Sequence, residues 1–186
     1  MRDREIRQQL KCTVMVQHYS QPDTLVVEEL PLCLGEARVD IAVLNGELNG
    51  YEIKSAADTL VRLPGQAKVY GAVFDRVTLI VCERYLKPAV ARLPEWWGIL
   101  LAKPGQAIEF EQIRTAEFNT NVDPLSLAQL LWRDEALQLL EEHNLDRGVR
   151  TKPKRVLWQT LANAMPLEIL RPRVRITLKR RADWRR

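Results

Sequence analysis

The sequence predicts an α/β protein in which a mixed β-sheet is flanked by helices and followed by a small all-α region. Val39, Ile41 and Val43 alternate with Asp40, Ala42 and Leu44, and two Asn-Gly turn dipeptides follow before residue 51, which is typical of a β-hairpin. Residues 76–82 are almost uninterruptedly apolar between two helical patterns, which favours a buried central strand. After residue 123 the leucines recur at the spacing of amphipathic helices, and this pattern predicts the all-α region.

The elements of the predicted sheet region follow one another along residues 1–115. An apolar stripe predicts a helix over 3–19, and β-rich sequence predicts a strand over 24–30, directly before the hairpin. Helical patterns flank the central strand on both sides, so we expect helices to cover a sheet whose strands run in both directions. The remaining predicted elements are helices at 64–74 and 85–93, a strand at 97–102 and an edge strand at 108–113.

The basic helical region is predicted to begin after a polar linker. We expect a sheet domain over 1–115, a linker over 116–123 and the helical region over 124–186. Asp123 and Pro124 form a good helix start, with the aspartate as cap and the proline in the first turn. The predicted helices run from 124 to about 143, from 154 to 164 and from 172 to 184, with a turn or short helix at Pro166.

The net charge of +4 hides a strong asymmetry along the chain. Residues 1–146 contain 15 basic and 22 acidic side chains, whereas residues 147–186 contain 13 basic and 2 acidic ones. Such density favours nucleic acid as the partner of the basic region, although a solvated tail or an acidic protein partner would also explain it. The residues that we expect to contact a nucleic-acid backbone are Arg147, Arg150, Lys152, Lys154, Arg155, Arg173, Arg175, Lys179 and Arg180.

Composition also indicates the compartment. The hydrophobic fraction of 46% suffices for a buried core, and no apolar run approaches the roughly 20 residues of a membrane helix. The first residues lack the apolar block of a signal peptide, and the three cysteines form no C-x-x-C motif. We therefore expect a cytoplasmic protein that does not associate with membranes and whose cysteines are reduced core thiols.

The candidate site lies in the hairpin. Glu52 and Lys54 are two residues apart on a strand and share one face, and Asp40 reaches that face if the hairpin pairs in the expected register. Ionised groups inside an apolar hairpin are costly unless they are paired or bind a metal. A structural ion pair at a sheet end or a solvated outer face satisfies this condition. A Mg²⁺ site, with a lysine beside the attacking water, satisfies it equally.

Asp40 and the triplet Glu52-Ile53-Lys54, preceded by an acidic strand and followed by Gln66 and Tyr70 on a helix, resemble the PD-(D/E)XK nuclease superfamily. The similarity covers roughly residues 3–115 and looks like one uncharacterised bacterial family within the superfamily. The residue before Asp40 is Val39 rather than proline, as in many divergent members. The resemblance implies a restriction-endonuclease-like arrangement of the sheet and its helices.

Carried over to this sequence, the resemblance implies a metal-dependent active site. Asp40 and Glu52 would bind Mg²⁺ or Mn²⁺, and Lys54 would orient or help to deprotonate the attacking water. Glu29 falls where the family keeps a further acidic ligand. Glu28 is the second choice, since strand alternation allows only one of these two glutamates to face Asp40.

Two helix residues and the C-terminal region complete the resemblance. Gln66 and Tyr70 fall where many members keep a glutamine and a tyrosine beside the site, although Tyr70 fits a helix face packed on the sheet as well. The leucine spacing after residue 130 is similar to SAP-type DNA-binding modules, and plain helical packing explains it too. The resemblance thus implies a Mg²⁺-dependent deoxyribonuclease, with a homodimer left open. The alternatives are a non-catalytic nucleic-acid-binding protein that retains the fold and a protein-interaction module with a basic tail.

Overall fold

The computed structural model describes residues 1–181 and 184 and contains a six-stranded mixed sheet. The strands are β1 (Leu25–Leu32), β2 (Ala37–Leu44), β3 (Leu48–Lys54), β4 (Arg76–Cys82), β5 (Gly98–Lys103) and β6 (Glu109–Arg114). They lie side by side in chain order. The pairs β1–β2, β2–β3 and β5–β6 are antiparallel, whereas β3–β4 and β4–β5 are parallel. The crossovers between the parallel strands contain helices, as such connections usually do.

Helices cover both faces of the sheet. The helices are α1 (Asp3–Cys12), α2 (Val16–Ser20), α3 (Leu63–Gly71), α4 (Glu83–Val90), α5 (Pro124–Ala128), α6 (Arg133–Glu142), α7 (Lys154–Ala164) and α8 (Leu167–Lys179), and a short 3-10 turn covers Cys33–Gly35. Ile6 and Leu10 of α1 pack with Ile53 and Ile80 on one face. The other face packs against α3, α4 and the C-terminal helices in a larger core. The predicted fold class, a mixed sheet flanked by helices and followed by a small all-α region, is confirmed.

Three predicted helices have different limits in the structure. The predicted helix over 3–19 is two helices, α1 and α2, separated by a turn at residues 13–15. The predicted helix over 124–143 is likewise split into α5 and α6. In contrast, α8 runs through Pro172 as one helix, although a proline there removes a backbone donor. Leu170, Val174 and Leu178 are buried at intervals of four residues, and this packing outweighs the lost hydrogen bond.

Glycine at position 50 serves close packing rather than a turn. The Asn49-Gly50 pair reads as a turn dipeptide, but both residues lie within β3, and the hairpin turns at residues 45–47. A Cβ atom on residue 50 would lie 3.0 Å from the ring of Phe74. The Phe74 ring therefore packs directly on the backbone of β3. This contact holds the residues that follow α3 against the strand.

The C-terminal helices share the larger core with the sheet. Leu157, Leu161 and Leu170 belong to the same buried cluster as Val39 and Leu79. The division into a sheet domain and a helical domain stays a prediction. No helix within residues 1–181 and 184 combines the length and apolarity needed to cross a membrane.

A buried cluster of charges joins α8 to the sheet. The Asp75 carboxylate lies before β4, and its two oxygens lie 2.8 Å from Arg171 Nη1 and 3.3 Å from Arg175 Nη1. Arg171 also donates to the carbonyl oxygen of Asn119 (3.0 Å), and the Asn119 amide donates to the carbonyl oxygens of Gly71 and Phe74. We call Asp75, Arg171 and Arg175 the Asp75 clamp. Residues 116–123, predicted as a linker, thus supply a buried residue to this contact.

Candidate active site

A cleft of about 420 Å³ opens where the connection from β1 to β2, the end of β3 and the start of α3 meet. Asp40, Glu52, Lys54 and Gln66 line this cleft together with Glu29. Five of the six residues predicted to be catalytic therefore face one space, and Tyr70 contacts it from beneath through Glu52.

The hairpin register brings Asp40 beside Glu52. Ile41 pairs with Tyr51 across the antiparallel strands, so the same register continued by one residue sets Asp40 opposite Glu52. The main-chain N–H of Ile53 donates to Asp40 Oδ2 over 2.7 Å, which ties the two strands together at this point. Two carboxylates from neighbouring strands therefore face the same cleft.

The Glu52 carboxylate is buried and held by three donors. Only 3% of the residue is exposed. Lys54 Nζ and Gln66 Nε2 each lie 2.6 Å from Glu52 Oε1, and the Tyr70 hydroxyl donates to Oε2 over 2.6 Å. Because a carboxylate oxygen accepts about two hydrogen bonds, Oε2 keeps one free acceptor position. This carboxylate has a fixed orientation before any ligand arrives.

Tyr70 is held as a donor by its surroundings. Its ring stacks on Trp97 with ring centroids 5.8 Å apart and an interplanar angle of 3°. Burial and the negative charge of Glu52 raise the pKa of the Tyr70 hydroxyl above its ordinary value, so the hydroxyl keeps its proton. Tyr70 therefore packs against Trp97 and also contacts Glu52, and its role in a site stays a prediction.

The pKa of Asp40 is raised above the ordinary value of an aspartate. Burial and the nearby charge of Glu52 raise the pKa of Asp40 to about 7, against the lowering effects of the Ile53 hydrogen bond and of Arg7. A carboxyl that is uncharged over part of the neutral range marks a place where negative charge is crowded. A cation placed between Asp40 and Glu52 would relieve that crowding.

Arg7 of α1 already supplies one positive charge there, and the sequence analysis did not identify it. Its Nη2 atom lies 2.8 Å from Asp40 Oδ1 and 2.9 Å from Glu29 Oε1. Weaker contacts reach Asp3 at 3.4 Å and Glu28 at 3.9 Å. Arg7 is three residues before the buried Leu10, which set it at the edge of the apolar stripe of α1. That spacing is the sequence signal that could have found it.

The predicted alternation of Glu28 and Glu29 is wrong. Glu29 has a φ of 56°, in the left-handed region, between the paired residues Glu28 and Leu30 of β1. This turn of the backbone breaks the regular alternation, so both glutamates reach Arg7. Glu29 also lies 2.7 Å from Arg38 Nε, and its carboxylate is therefore shared between two arginines.

The donor set fits a hard divalent cation. Asp40 and Glu52 offer carboxylate oxygens, the ligands that Mg²⁺ prefers, and both retain free acceptor positions. Gln66 Oε1 is buried beside them without a hydrogen-bond partner in the described part of the chain. Among residues 1–181 and 184, no three His, Cys, Asp or Glu side chains are arranged as a ready metal cluster. The fit is thus to two carboxylates, with Glu29 as a third ligand only if it leaves its arginines.

The basic residues predicted to contact nucleic acid fall into two groups. Some pair with carboxylates: Arg175 with Asp75, and Lys179 with Asp23 over 2.6 Å. The paired group is Arg150, Arg173, Arg175 and Lys179. The exposed group, which forms no ion pair within the described residues, is Arg147, Lys152, Lys154, Arg155 and Arg180.

Comparisons with known proteins place the chain in a sequence family. Residues 2–184 match the family model described as Bacteriophage P4 protein cII. The chain is 24% identical over 160 residues to protein cII of Enterobacteria phage P4, covering 86% of this chain and 60% of that protein. It therefore spans about three fifths of the length of this curated relative.

Two solved structures are similar to the chain at low levels. One is the SPO1766 protein of unknown function from Silicibacter pomeroyi, with 22% identity, a TM-score of 0.43 and coverage of 75% of this chain and 92% of that one. The other is Pyrococcus furiosus SfsA in complex with Ca²⁺, with 15% identity, a TM-score of 0.33 and coverage of 60% and 64%. Both likenesses are too remote for the activity of either protein to be transferred to this chain.

Proposed function

The chain belongs to the bacteriophage P4 protein cII family, and we propose that it is a metal-dependent nuclease of the PD-(D/E)XK type that hydrolyses DNA phosphodiester bonds. The observation that carries this proposal is the buried Glu52–Lys54 pair (2.6 Å) directly beside Asp40 in an open cleft. A pair that served stability alone would gain nothing from a second carboxylate next to it, because like charges raise the cost of burial.

In the proposed hydrolysis the residues of the cleft have different roles. Asp40 and Glu52 would hold Mg²⁺ or Mn²⁺, and that ion would lower the pKa of a water molecule and offset negative charge on the phosphate. Lys54 carries a buried ammonium that orients the attacking water and stabilises negative charge that develops on the phosphate. Gln66 and Tyr70 keep the Glu52 carboxylate in one orientation, so the site needs little rearrangement when DNA binds.

The exposed basic residues bind the phosphate backbone of the DNA in this proposal. Lys152, Lys154 and Arg155 are exposed around the start of α7, and Arg147 is exposed shortly before it. Contacts of such residues with phosphates hold a nucleic acid without reading its sequence, and they weaken as the salt concentration rises. This part of the proposal covers binding and is independent of cleavage.

A non-catalytic nucleic-acid-binding protein is the second candidate, and Arg7 is the observation that favours it. Its guanidinium already neutralises Asp40 and Glu29, as in a protein that has replaced a metal by a side chain. Titration calorimetry with Mn²⁺ separates the two candidates. The nuclease binds Mn²⁺ through Asp40, and binding is lost in Asp40→Asn, whereas the non-catalytic protein binds none.

The experiment that tests the proposal is cleavage of labelled linear, nicked and flapped DNA with and without Mg²⁺ or Mn²⁺. We expect metal-dependent cleavage by the native protein and a loss of about a thousandfold or more in Lys54→Ala and Asp40→Asn. Lys87→Ala, an exposed lysine on α4 that does not line the cleft, is the matched control and should cleave normally. Unchanged cleavage by a folded Asp40→Asn variant would rule out the assignment.

A further inference from the structure

A second groove lies across the β1–β2 connection from the cleft. Residues 33–35 line this groove, whereas residues 36–38, directly after them, line the cleft. The opposite wall comes from the α5–α6 junction and the first two turns of α7, and the groove has a volume of about 540 Å³. One short connection thus separates the two spaces, so a polymer bound in both would cross the three-residue turn.

The groove combines aromatic rings with positive charge. Lys154 Nζ lies 5.2 Å from the ring of Trp158, whose indole N–H donates to the Leu131 carbonyl oxygen and so fixes the ring. Trp132 is half-buried beside it, under the guanidinium of Arg181 at 4.1 Å. None of the described residues that line the groove is Asp or Glu. Arg181 is paired with Glu135 and Arg133 with Asp134, whereas Lys154 is exposed and forms no ion pair within the described residues. An unpaired lysine in the same groove as a half-buried tryptophan ring can bind a phosphate while the ring contacts a base.

The turn between the two spaces is strained and exposes a leucine. Cys33, Leu34 and Gly35 have φ values of 47°, 61° and 95°, and the two non-glycine residues each cost on the order of 1–3 kcal/mol in this region. The strain does not serve burial, since 69% of Leu34 is exposed. An exposed apolar side chain beside the proposed nuclease site can contact the face of an unstacked base.

We propose that this groove binds single-stranded DNA, with Leu34 and Trp132 against the bases and Lys154 on a phosphate. In a duplex the faces of the bases are stacked on one another. Leu34 and Trp132 can therefore contact the face of a base only where base pairing is interrupted. Resting on the function proposed above, this inference makes the substrate a DNA with an unpaired strand that runs from the cleft over Leu34. Binding of a single strand in the groove requires neither a metal ion nor cleavage of the DNA.

The test measures binding by fluorescence anisotropy in EDTA, with a labelled single strand of roughly 15 nucleotides and the corresponding blunt duplex. We expect the single strand to bind more tightly than the duplex. Lys154→Glu should weaken single-strand binding about tenfold, and Leu34→Ala about threefold. A glutamate in the first turn of α7 favours the helix dipole, so Lys154→Glu keeps its fold.

Lys87→Glu is the matched charge reversal, on α4 and outside both the cleft and the groove, and should change the affinity less than about twofold. The inference is overturned if Lys154→Glu and Leu34→Ala bind the single strand as the native protein does, or if the duplex binds more tightly. Either result leaves the proposed nuclease intact if DNA is still cleaved. If Lys154→Glu and Leu34→Ala weaken binding of the single strand and Lys87→Glu does not, the proposed binding site in the groove is supported even if no DNA is cleaved.

Discussion

Two buried carboxylates lie at opposite ends of the parallel strands β3 and β4, and only one of them opens onto a cleft. Glu52, near the end of β3, is 3% exposed, and Asp75, just before β4, is 2% exposed. Each accepts three hydrogen bonds: Glu52 from Lys54, Gln66 and Tyr70, and Asp75 from Arg171, Arg175 and the Leu48 main-chain N–H. Burial and hydrogen bonding alone do not separate them.

The charged groups around each carboxylate do distinguish Glu52 from Asp75. The Asp75 clamp sets two guanidinium groups on one carboxylate, so positive charge compensates the buried negative charge inside the protein. Glu52 instead faces a second carboxylate, Asp40, whose pKa rises to about 7, and both line an open cavity. Crowded like charge with access for a ligand distinguishes a candidate chemical site from a structural ion pair.

The largest effect that we expect from this comparison is on the Asp75 clamp. Asp75→Ala leaves the buried Arg171 and the partly buried Arg175 without their carboxylate, and should lower the free energy of unfolding by about 3–5 kcal/mol. Urea unfolding followed by circular dichroism measures it. Asp40→Asn, in the same assay at neutral pH, should lose much less stability, because the asparagine oxygen can still accept the Ile53 N–H. A loss of under about 1 kcal/mol in Asp75→Ala would show that the clamp is not structural.

The next effect is the pH dependence contributed by Asp40. Its pKa rises from 3.8 to about 7, so the folded protein holds this proton more tightly than the unfolded chain does. The contribution to stability is complete below 3.8 and is lost as the pH rises through about 7. Without metal, we expect a decrease on the order of 2 kcal/mol between about pH 5 and pH 8. Urea midpoints of Asp40→Asn should lack this part of the decrease, and an identical decrease in the variant would contradict it.

The smallest effect concerns Arg7. Arg7→Gln removes a positive charge from between Asp40 and Glu29, so a divalent cation meets less repulsion and should bind about tenfold more tightly. Titration calorimetry with Mn²⁺ measures this change. Arg4→Gln, which removes an exposed arginine from the same helix, is the control and should leave the affinity unchanged. Equal or weaker Mn²⁺ binding by Arg7→Gln would show that Arg7 does not compete with the metal.

Much of the fold and part of the site follow from local patterns. The hairpin, the buried strand β4 and the helix α7, predicted at 154–164 and observed at Lys154–Ala164, are set by residue periodicity. The shared face of Glu52 and Lys54 follows from strand geometry in the same way. The break of alternation at Glu29 does not follow from it, nor does the continuity of α8 through Pro172, where the buried face of the helix packs against the core.

The sequence by itself determined the order of strands and helical segments along the chain, and that Glu52 and Lys54 share one face of a hairpin strand. Only the tertiary structure decided that Arg7 reaches Asp40 from 33 positions earlier and that Arg171 reaches Asp75 across 96. The physical reason is the range of the forces involved. Periodicity acts between residues a few positions apart, whereas the neutralisation of a buried charge depends on whichever side chain the folded core brings beside it.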